Sequence, residues 1–428
     1  MRQVFALIDC NAFYCSAEIA FNPYLRNKPV VVASNNDGCI VSRTTSAKAL
    51  GIKMGEPVFK IARQCEQQGI EILSSNYSLY ANLSQRVMSV IADHVPNISI
   101  YSIDECFADL TGIPNKTELS RDLKATIEKW TGIPVCVGIG QTKTIAKLAN
   151  RLAKKSKKAG GVVNLDDVPD RVMTAALTQT DVGDVWGVGR KYAERLQGFG
   201  VRTALDLSRL EDSWIRHEFG VVLARTATEL RGQPVHDFDS EPAPRQSTTC
   251  SRSFGEPTGA IEAVAAAVSE FSQIAAARLR SEGLVAGHVQ VYAHTSPFRK
   301  SEPQGSIGGN VRLNPPTADS RRITSTALQL IRMPRGTDPG CLWAKAGVLL
   351  TDLCRADRAP RDLFTVADGS RSKKLMAAID ATNGRFGRGA VRLGCPAEAD
   401  ESWRMKRERL SPSYTTRWED LPIAKAVD

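Results

Sequence analysis

Acidic side chains closing apolar runs are the most chemically suggestive feature of this sequence. Asp9 ends the run QVFALID, and Asp104 and Glu105 stand side by side after ISIYSI. A carboxylate at the end of a buried strand is costly unless a cation or a donor compensates it. If the two strands are neighbours, the three carboxylates offer oxygen ligands for two Mg²⁺ ions, which keep sites for water and substrate phosphate. Two such ions, roughly 3.5–4 Å apart, would clamp the attacking and leaving oxygens of an in-line phosphoryl displacement. The plainer alternative is a capping Asp beside an ordinary acidic turn.

Other side chains fit the same chemistry. Phe13 and Tyr14 follow Asp9 by four and five residues. Adjacent aromatics are more often core than site, but this close to Asp9 one can face a substrate, and a Tyr ring beneath a sugar excludes a 2′-hydroxyl by bulk. Ser42, Arg43, Lys48 and Lys154 suit a triphosphate, the lysines as point charges and the serine as a donor. Taken singly, each reads equally well as a surface residue. The stretch QTKTIAKLANRLAKKSKKAG (141–160) carries seven positive charges and no negative one. Beside the acidic residues upstream, it fits metal ions and phosphates handled together, or else a solvated basic helix near an acidic turn. In DVWGVGRKYAERLQGFGVRTALDL (184–207), Gly187, Val188 and Gly189 let the backbone pass close to a phosphate at a helix N-terminus, with Arg190 next in line. Leu196, Gly200, Val201, Leu205 and Leu207 are the packing positions behind it. This is the helix-hairpin-helix pattern, which grips DNA backbone without reading sequence.

The secondary structure that would hold these groups in place can be sketched. Residues 3–9, 28–33, 98–103, 106–110 and 135–140 read as strands, and 143–155 has helical spacing. Asp104-Glu105 falls at or beside a hairpin tip. Strands interleaved with helices make the first 165 or so residues a layered α/β or α+β domain. Residues 168–232 read as short helices punctuated by glycine. A Pro-containing linker follows at 236–247, then a long amphipathic helix at 260–283 and a strand, HVQVYAHTS. Residues 245–352 thus form a smaller α+β domain with 12 basic and 8 acidic residues. Beyond 353 the chain reads as a tail, partly ordered at best, with a helical hint only in AAIDATNGRFG.

Composition sets the outer limits. The 428 residues suggest two to four domains, and 42% hydrophobic content is that of a globular protein. The longest apolar runs fall short of the roughly 18 residues that a membrane span needs, and the N-terminus lacks the pattern of a signal peptide. The 10 cysteines are scattered, without a CxxC pair or finger spacing. Structural zinc and a disulfide framework are not expected; a reducing cytoplasm is. The formal net charge of +10 permits a polyanionic partner without proving one.

The ordered motifs LIDCNAFYCSAE, SNNDGCIVSRTTSAKALGI, SSNYSLYANLS, YSIDECFADLTG, GIGQTKTIAKLAN, VWGVGRKYAERL, CSRSFGE, TSPF and MKRERLSPSYTTRW resemble those of Y-family DNA polymerases. Within them, SNNDGC and SPSYTTRW resemble the UmuC subgroup, and the resemblance runs from residue 2 to about 420. It implies an α+β multidomain, right-hand polymerase: a palm (1–11 and 76–167), small fingers (12–75), a helical thumb with the helix-hairpin-helix (168–235), a linker (236–244), an α+β little finger (245–352) and a C-terminal tail for partner contacts (353–428). It makes Asp9 and Asp104 metal-bridging carboxylates and Glu105 the third. The Cys10 carbonyl becomes a further ligand, Tyr14 the gate against ribonucleotides, and Ser42, Lys48 and Lys154 contacts of the incoming triphosphate. The other branch usually has Thr and Arg where Ser42 and Lys48 stand.

Error-prone synthesis past damaged bases with two Mg²⁺ ions, in an SOS-type response, is the activity the resemblance implies. The implied partners are template-primer DNA, deoxynucleoside triphosphates, a processed UmuD-like dimer, a RecA filament and the sliding clamp, in a cytoplasmic chain that associates with the nucleoid when active. The clamp peptide of the family begins with Gln; here only Pro360-Arg361-Asp362-Leu363-Phe364 is available, with Leu363 and Phe364 as apolar anchors. From the residues alone, two other classes remain. A nucleotide cyclase needs no duplex grip, and a silent DNA-binding subunit has no reason to keep three costly acids.

Overall fold

The computed structural model describes residues 2–238, 244–332, 340–360, 368–387, 389–394 and 403–423. Two compact units emerge: Met1–Ser34 with Gly38–Pro242 and Arg409–Asp428, and Asn35–Asp37 with Ala243–Glu408.

The first unit is organised by strand β1 (Phe5–Cys10), every residue of which is buried. Helix α1 (Phe13–Phe21) follows, then β2 (Val30–Ala33), β3 (Ile40–Arg43), α2 (Thr45–Ala49), α3 (Val58–Gln67), β4 (Glu71–Ser74) and α4 (Tyr77–His94). Strands β5 (Ile98–Ile100) and β6 (Glu105–Asp109), α5 (Lys116–Thr131), β7 (Val135–Gly140), α6 (Lys143–Lys155) and β8 (Val162–Asn164) complete the layered part. The main sheet has the order β5-β6-β1-β7-β8, and a small sheet, β3-β2-β4, carries its own core.

Strand alternation assigns the faces of β1. Val4, Ala6, Ile8 and Cys10 share a core with Leu79, Leu83, Leu123 and Ile127 of α4 and α5. Phe5 and Leu7 instead pack with Phe107 and Ala146, on the face covered by α6. Asp9 continues that second set. Two glycines let α6 lie directly on the sheet: a Cβ at Gly138 would stand 2.0 Å from the Asn150 nitrogen, and one at Gly140 would stand 2.5 Å from Ile145. Close backbone approach of this kind needs glycine. Asn150 locks the contact, its amide donating to the carbonyls of Leu7 (3.2 Å) and Cys136 (2.8 Å).

A helical part follows: α7 (Asp170–Thr178), α8 (Arg190–Gly198), α9 (Ala204–Ser208), α10 (Asp212–Phe219) and α11 (Val221–Leu230). Its core includes Leu196, Val201, Leu207 and Leu223, together with Ile145 and Leu148 of α6. Buried Glu229 on α11 accepts from the Thr144 amide (2.9 Å) and hydroxyl (2.7 Å) at the start of α6. An anion at a helix N-terminus satisfies donors that the helix cannot.

The second unit is a four-stranded antiparallel sheet, β11-β10-β12-β9, packed on helices. Its elements in chain order are β9 (Thr248–Thr258), α12 (Ile261–Ser281), β10 (Leu284–Thr295), β11 (Ser306–Thr317), α13 (Ser320–Arg332), β12 (Trp343–Arg355) and α14 (Ser370–Phe386). Beyond residue 353 the described residues include one α-helix, which takes in most of the stretch AAIDATNGRFG. Helix α14 is 17 residues long, Arg280 of α12 grips Asp380 through two 2.7 Å contacts, and Trp403 enters the core. Residues 409–423 then belong to the first unit. Spaced contacts with the rest of each unit hold this segment, and they leave little periodic trace in its sequence. Leu363 and Phe364 lie outside the described residues.

Candidate active site

On adjacent strands β1 and β6, Asp9 and Glu105 face each other in register. Both point toward α6, where Lys154 Nζ stands 2.6 Å from Asp9 Oδ1 and Lys147 Nζ stands 2.9 Å from Glu105 Oε2. Lys147, Arg151 and Lys154 are spaced i, i+4, i+7, so they share one face of α6. Burial pushes the Asp9 carboxyl up to about 6; Lys154 opposes this and Glu105 adds to it. A carboxylate taken out of water resists ionisation, and a second carboxylate beside it resists further.

The pair lines a cleft of about 240 Å³, shared with Thr144, Asp184 and Trp186. Lys147 is held from the other side by rings: its ammonium lies 4.2 Å from the Tyr101 centroid and 5.2 Å from that of Trp186. The Trp186 indole also donates to the Tyr101 hydroxyl (3.3 Å). Arg151 and, at 3.6 Å, Lys155 pair with Asp184. Sequence reasoning passed over Lys147, Arg151, Tyr101 and Trp186. The seven-residue spacing of Lys147 and Lys154 was the available signal.

Asp104 precedes β6, and its carbonyl accepts from the Cys10 amide (2.9 Å). Its carboxylate does not join the pair but accepts from the Ser102 hydroxyl (2.5 Å). Ser102 Oγ in turn accepts from the amides of Asp104 and Glu105. Two of the three carboxylates are matched by lysines of α6, and the third, Asp104, by the Ser102 hydroxyl. Among the described residues, no three His, Cys, Asp or Glu side chains converge as a ligand set. The donor chemistry nevertheless fits hard divalent cations: the donors are all oxygen, they stand at a cleft, and they already draw two ammonium groups to them. The Cys10 thiol is buried on the opposite face of β1, where burial pushes its pKa far up, so only its backbone is open to such a role.

Of the two aromatics after Asp9, Phe13 is the buried one, 3% exposed, with its ring 6.4 Å from that of Tyr80. Tyr14 is the half-buried one. Its ring stacks on Tyr80 with centroids 4.3 Å apart at 13°, and Tyr77 meets it edge-on at 6.2 Å. Burial, with Tyr77 and Asp104 nearby, raises the Tyr14 phenol.

The expected triphosphate contacts divide. Lys154 reaches the cleft. Ser42 is buried, and its hydroxyl accepts from the Cys15 amide at 3.3 Å, which places it behind the start of α1. Arg43 donates to the Ile52 carbonyl. Lys48 is exposed in the last turn of α2 and is not among the cleft-lining residues.

In the helical part, Gly187 has φ +85°, Val188 is buried, and Gly189 is the N-cap of α8 with open space around it. Arg190 begins α8 with its side chain 88% exposed, 3.5 Å from Glu194. This leaves backbone amides free at a helix start, the arrangement that takes a phosphate.

Residues 8–151 match the impB/mucB/samB family, residues 245–363 match the C-terminal domain of that family, and residues 373–424 match a domain of unknown function (DUF4113). The chain is 42% identical to protein UmuC of Salmonella typhimurium over 423 residues, covering 98% of this chain and 99% of that one. It is 40% identical to protein ImpB of Salmonella typhimurium over 426 residues, covering 99% and 100%. Among solved structures, a Y-family DNA polymerase chimera of Dbh and Dpo4 is similar in fold, with a TM-score of 0.65 at 20% identity, covering 82% of this chain and 99% of that one.

Proposed function

The chain belongs to the impB/mucB/samB family of Y-family DNA polymerases, and on that basis we propose that it extends a primer 3′-hydroxyl past damaged template bases at the cleft between β1, β6 and α6. The observation that carries this placement is the facing pair Asp9–Glu105, each carboxylate matched to a lysine of α6. Asp9, Glu105, Asp104 and the Cys10 carbonyl would hold the divalent cations, Mg²⁺ by donor type. When bound, these supply the charge that lowers the pKa of the primer hydroxyl and offsets the departing pyrophosphate.

The side chains of this chain do the rest. Lys147 and Lys154 keep the carboxylates aligned and offer positive charge to the triphosphate as it enters. Lys154, 39% exposed at its side chain, is the freer of the two. The ring of Tyr14 lies beneath the sugar and leaves no room for a 2′-hydroxyl. Gly187, Val188, Gly189 and Arg190 hold backbone phosphates of the template-primer duplex, which positions without reading sequence. The small fingers sheet encloses the nascent pair loosely, consistent with insertion opposite misshapen bases. Family membership also supports an SOS-type setting with a processed UmuD-like dimer, a RecA filament and the sliding clamp as partners.

Primer extension on undamaged and abasic templates tests this, with Mg²⁺ and four deoxynucleotides, with and without those partners. Asp104→Ala and Glu105→Ala are each expected to lower extension by at least about 10²-fold while template-primer binding is retained. Equal loss of binding would make the carboxylates structural. Absence of synthesis in every combination, with binding intact, would favour a silent DNA-binding subunit.

A further inference from the structure

The last part of the segment that matches a domain of unknown function crosses the first unit behind the tyrosine cluster. It begins beside β4. The Ser74 amide donates to the Arg409 carbonyl (2.9 Å), and the Arg409 amide donates to the Ser74 hydroxyl (3.0 Å). Asn76 comes next and acts in two directions. Its Oδ1 accepts from the Leu79 amide and caps α4, the helix bearing Tyr77 and Tyr80, while its Nδ2 donates to Ser411 Oγ (3.0 Å) and the Pro412 carbonyl (3.2 Å). The segment ends on α1, where Tyr414 stacks on Phe21 at 5.2 Å and 18°.

Glu18 lies between the two helices. It stands four residues after Tyr14, one helical turn along α1, and is 1% exposed. A carboxylate buried this deeply needs donors. It receives the Tyr80 hydroxyl at 2.7 Å, and the side chain of Ser411, held by Asn76, stands close enough to lower its pKa against the rise that burial imposes. Tyr80 is itself fully buried, with Tyr14 stacked on its ring. A continuous path therefore runs from Ser411 through Glu18 and Tyr80 to the face of Tyr14.

We propose that the segment Arg409–Tyr414 is a strut that positions Tyr14, and that Ser411, Asn76, Glu18 and Tyr80 are positioning residues for sugar discrimination. The inference rests on Tyr14 being the gate. It assigns this part of the chain a role in substrate selection: the strut fixes Glu18, Glu18 fixes the Tyr80 ring, and that ring holds Tyr14 at the height at which a 2′-hydroxyl collides with it. Without the strut, Glu18 loses its polar neighbour Ser411 and α4 loses the hold on its capping residue Asn76; the Tyr80 ring gains freedom, and Tyr14 can yield to a ribose.

The test uses the full-length chain and measures single-nucleotide incorporation of matched deoxy- and ribonucleoside triphosphates, as the ratio of their kcat/KM values. Tyr80→Phe, which keeps the ring and removes one oxygen, and Ser411→Ala are each expected to lower the ratio roughly three- to tenfold, the size of one loosened buried hydrogen bond. Glu18→Gln retains an acceptor for Tyr80 and is expected to hold the ratio near that of the parent. A ratio unchanged in Tyr80→Phe, or rates falling in proportion for both sugars, would overturn the strut and leave the segment a structural patch. Tyr14→Ala separates the two readings. If it shifts the ratio and Tyr80→Phe does not, only the strut fails; if it leaves the ratio untouched, the gate assignment fails and the strut with it.

Discussion

At the scale of single residues, the cleft is a matter of matched charges. Asp9 and Glu105 are held by Lys154 and Lys147, and Lys147 is also enclosed by the rings of Tyr101 and Trp186. A lysine on an aromatic face keeps its charge while losing much of its freedom. The two lysines therefore play different parts, Lys147 built into the wall of the cleft and Lys154 available to a substrate. Lys154→Ala is expected to slow single-turnover deoxynucleotide incorporation on the order of 10²-fold and leave the melting temperature near that of the parent. Lys147→Met is expected to lower both, because it also removes the ammonium packed against the Tyr101 and Trp186 rings. Stopped incorporation assays and thermal melts on the same preparations check the split; identical profiles for the two variants would contradict it.

At the scale of elements, the contact between α6 and β7 decides whether those lysines reach their carboxylates. Helix backbone sits directly on strand backbone at Gly138, and Asn150 ties α6 to the carbonyls of β1 and β7. The side chain of Gly138→Ala would collide with backbone, which cannot rotate away as a side chain can. The expected outcome is a loss of about 1–3 kcal/mol or more in stability, with polymerase activity falling further than the melting temperature alone accounts for. Denaturant unfolding and extension on the same variant would show this, and an unaltered melting curve would refute it. The alternation in β1 was readable in advance, since Phe5, Leu7 and Asp9 share parity. Which helix covers that face was not, because 143–155 reads as amphipathic without naming the surface it covers.

At the scale of the whole molecule, the chain folds as two units, and the second is closed by groups far apart in sequence. Buried Asp319, at the start of α13, accepts from Arg321 (2.7 Å) and from Ser372 of α14. Burial alone would raise its pKa; these hydrogen bonds outweigh it and hold the carboxyl down at about 2. A depressed carboxyl contributes stability that is present above the ordinary value of about 3.9 and is lost as pH falls toward 2. Asp319→Asn is thus expected to lower the melting temperature of the full chain at pH 7, and the gap should narrow as pH is brought below about 4. A gap independent of pH would mean the side chain acts by packing rather than charge. The region beyond 353 likewise supplies α14 and Trp403 to the second unit and a packed segment to the first.

Local patterning carried the reading of this protein a long way. Apolar runs marked β1 and β7, the carboxylates at strand ends marked the metal-binding candidates, and Gly187-Val188-Gly189 before a helical stretch marked the hairpin. Strand burial, charge desolvation and backbone freedom are short-range demands, written in adjacent residues. Long-range pairings emerged only in the folded chain. Folding put Lys147 and Lys154 on Glu105 and Asp9, turned Asp104 onto Ser102, withdrew Phe13 and Ser42 into the interior, and brought Ser411 to Glu18 across nearly 400 positions of chain. Such contacts form between surfaces that meet only once each element is folded and packed, and neither surface carries a mark of the other in its own sequence.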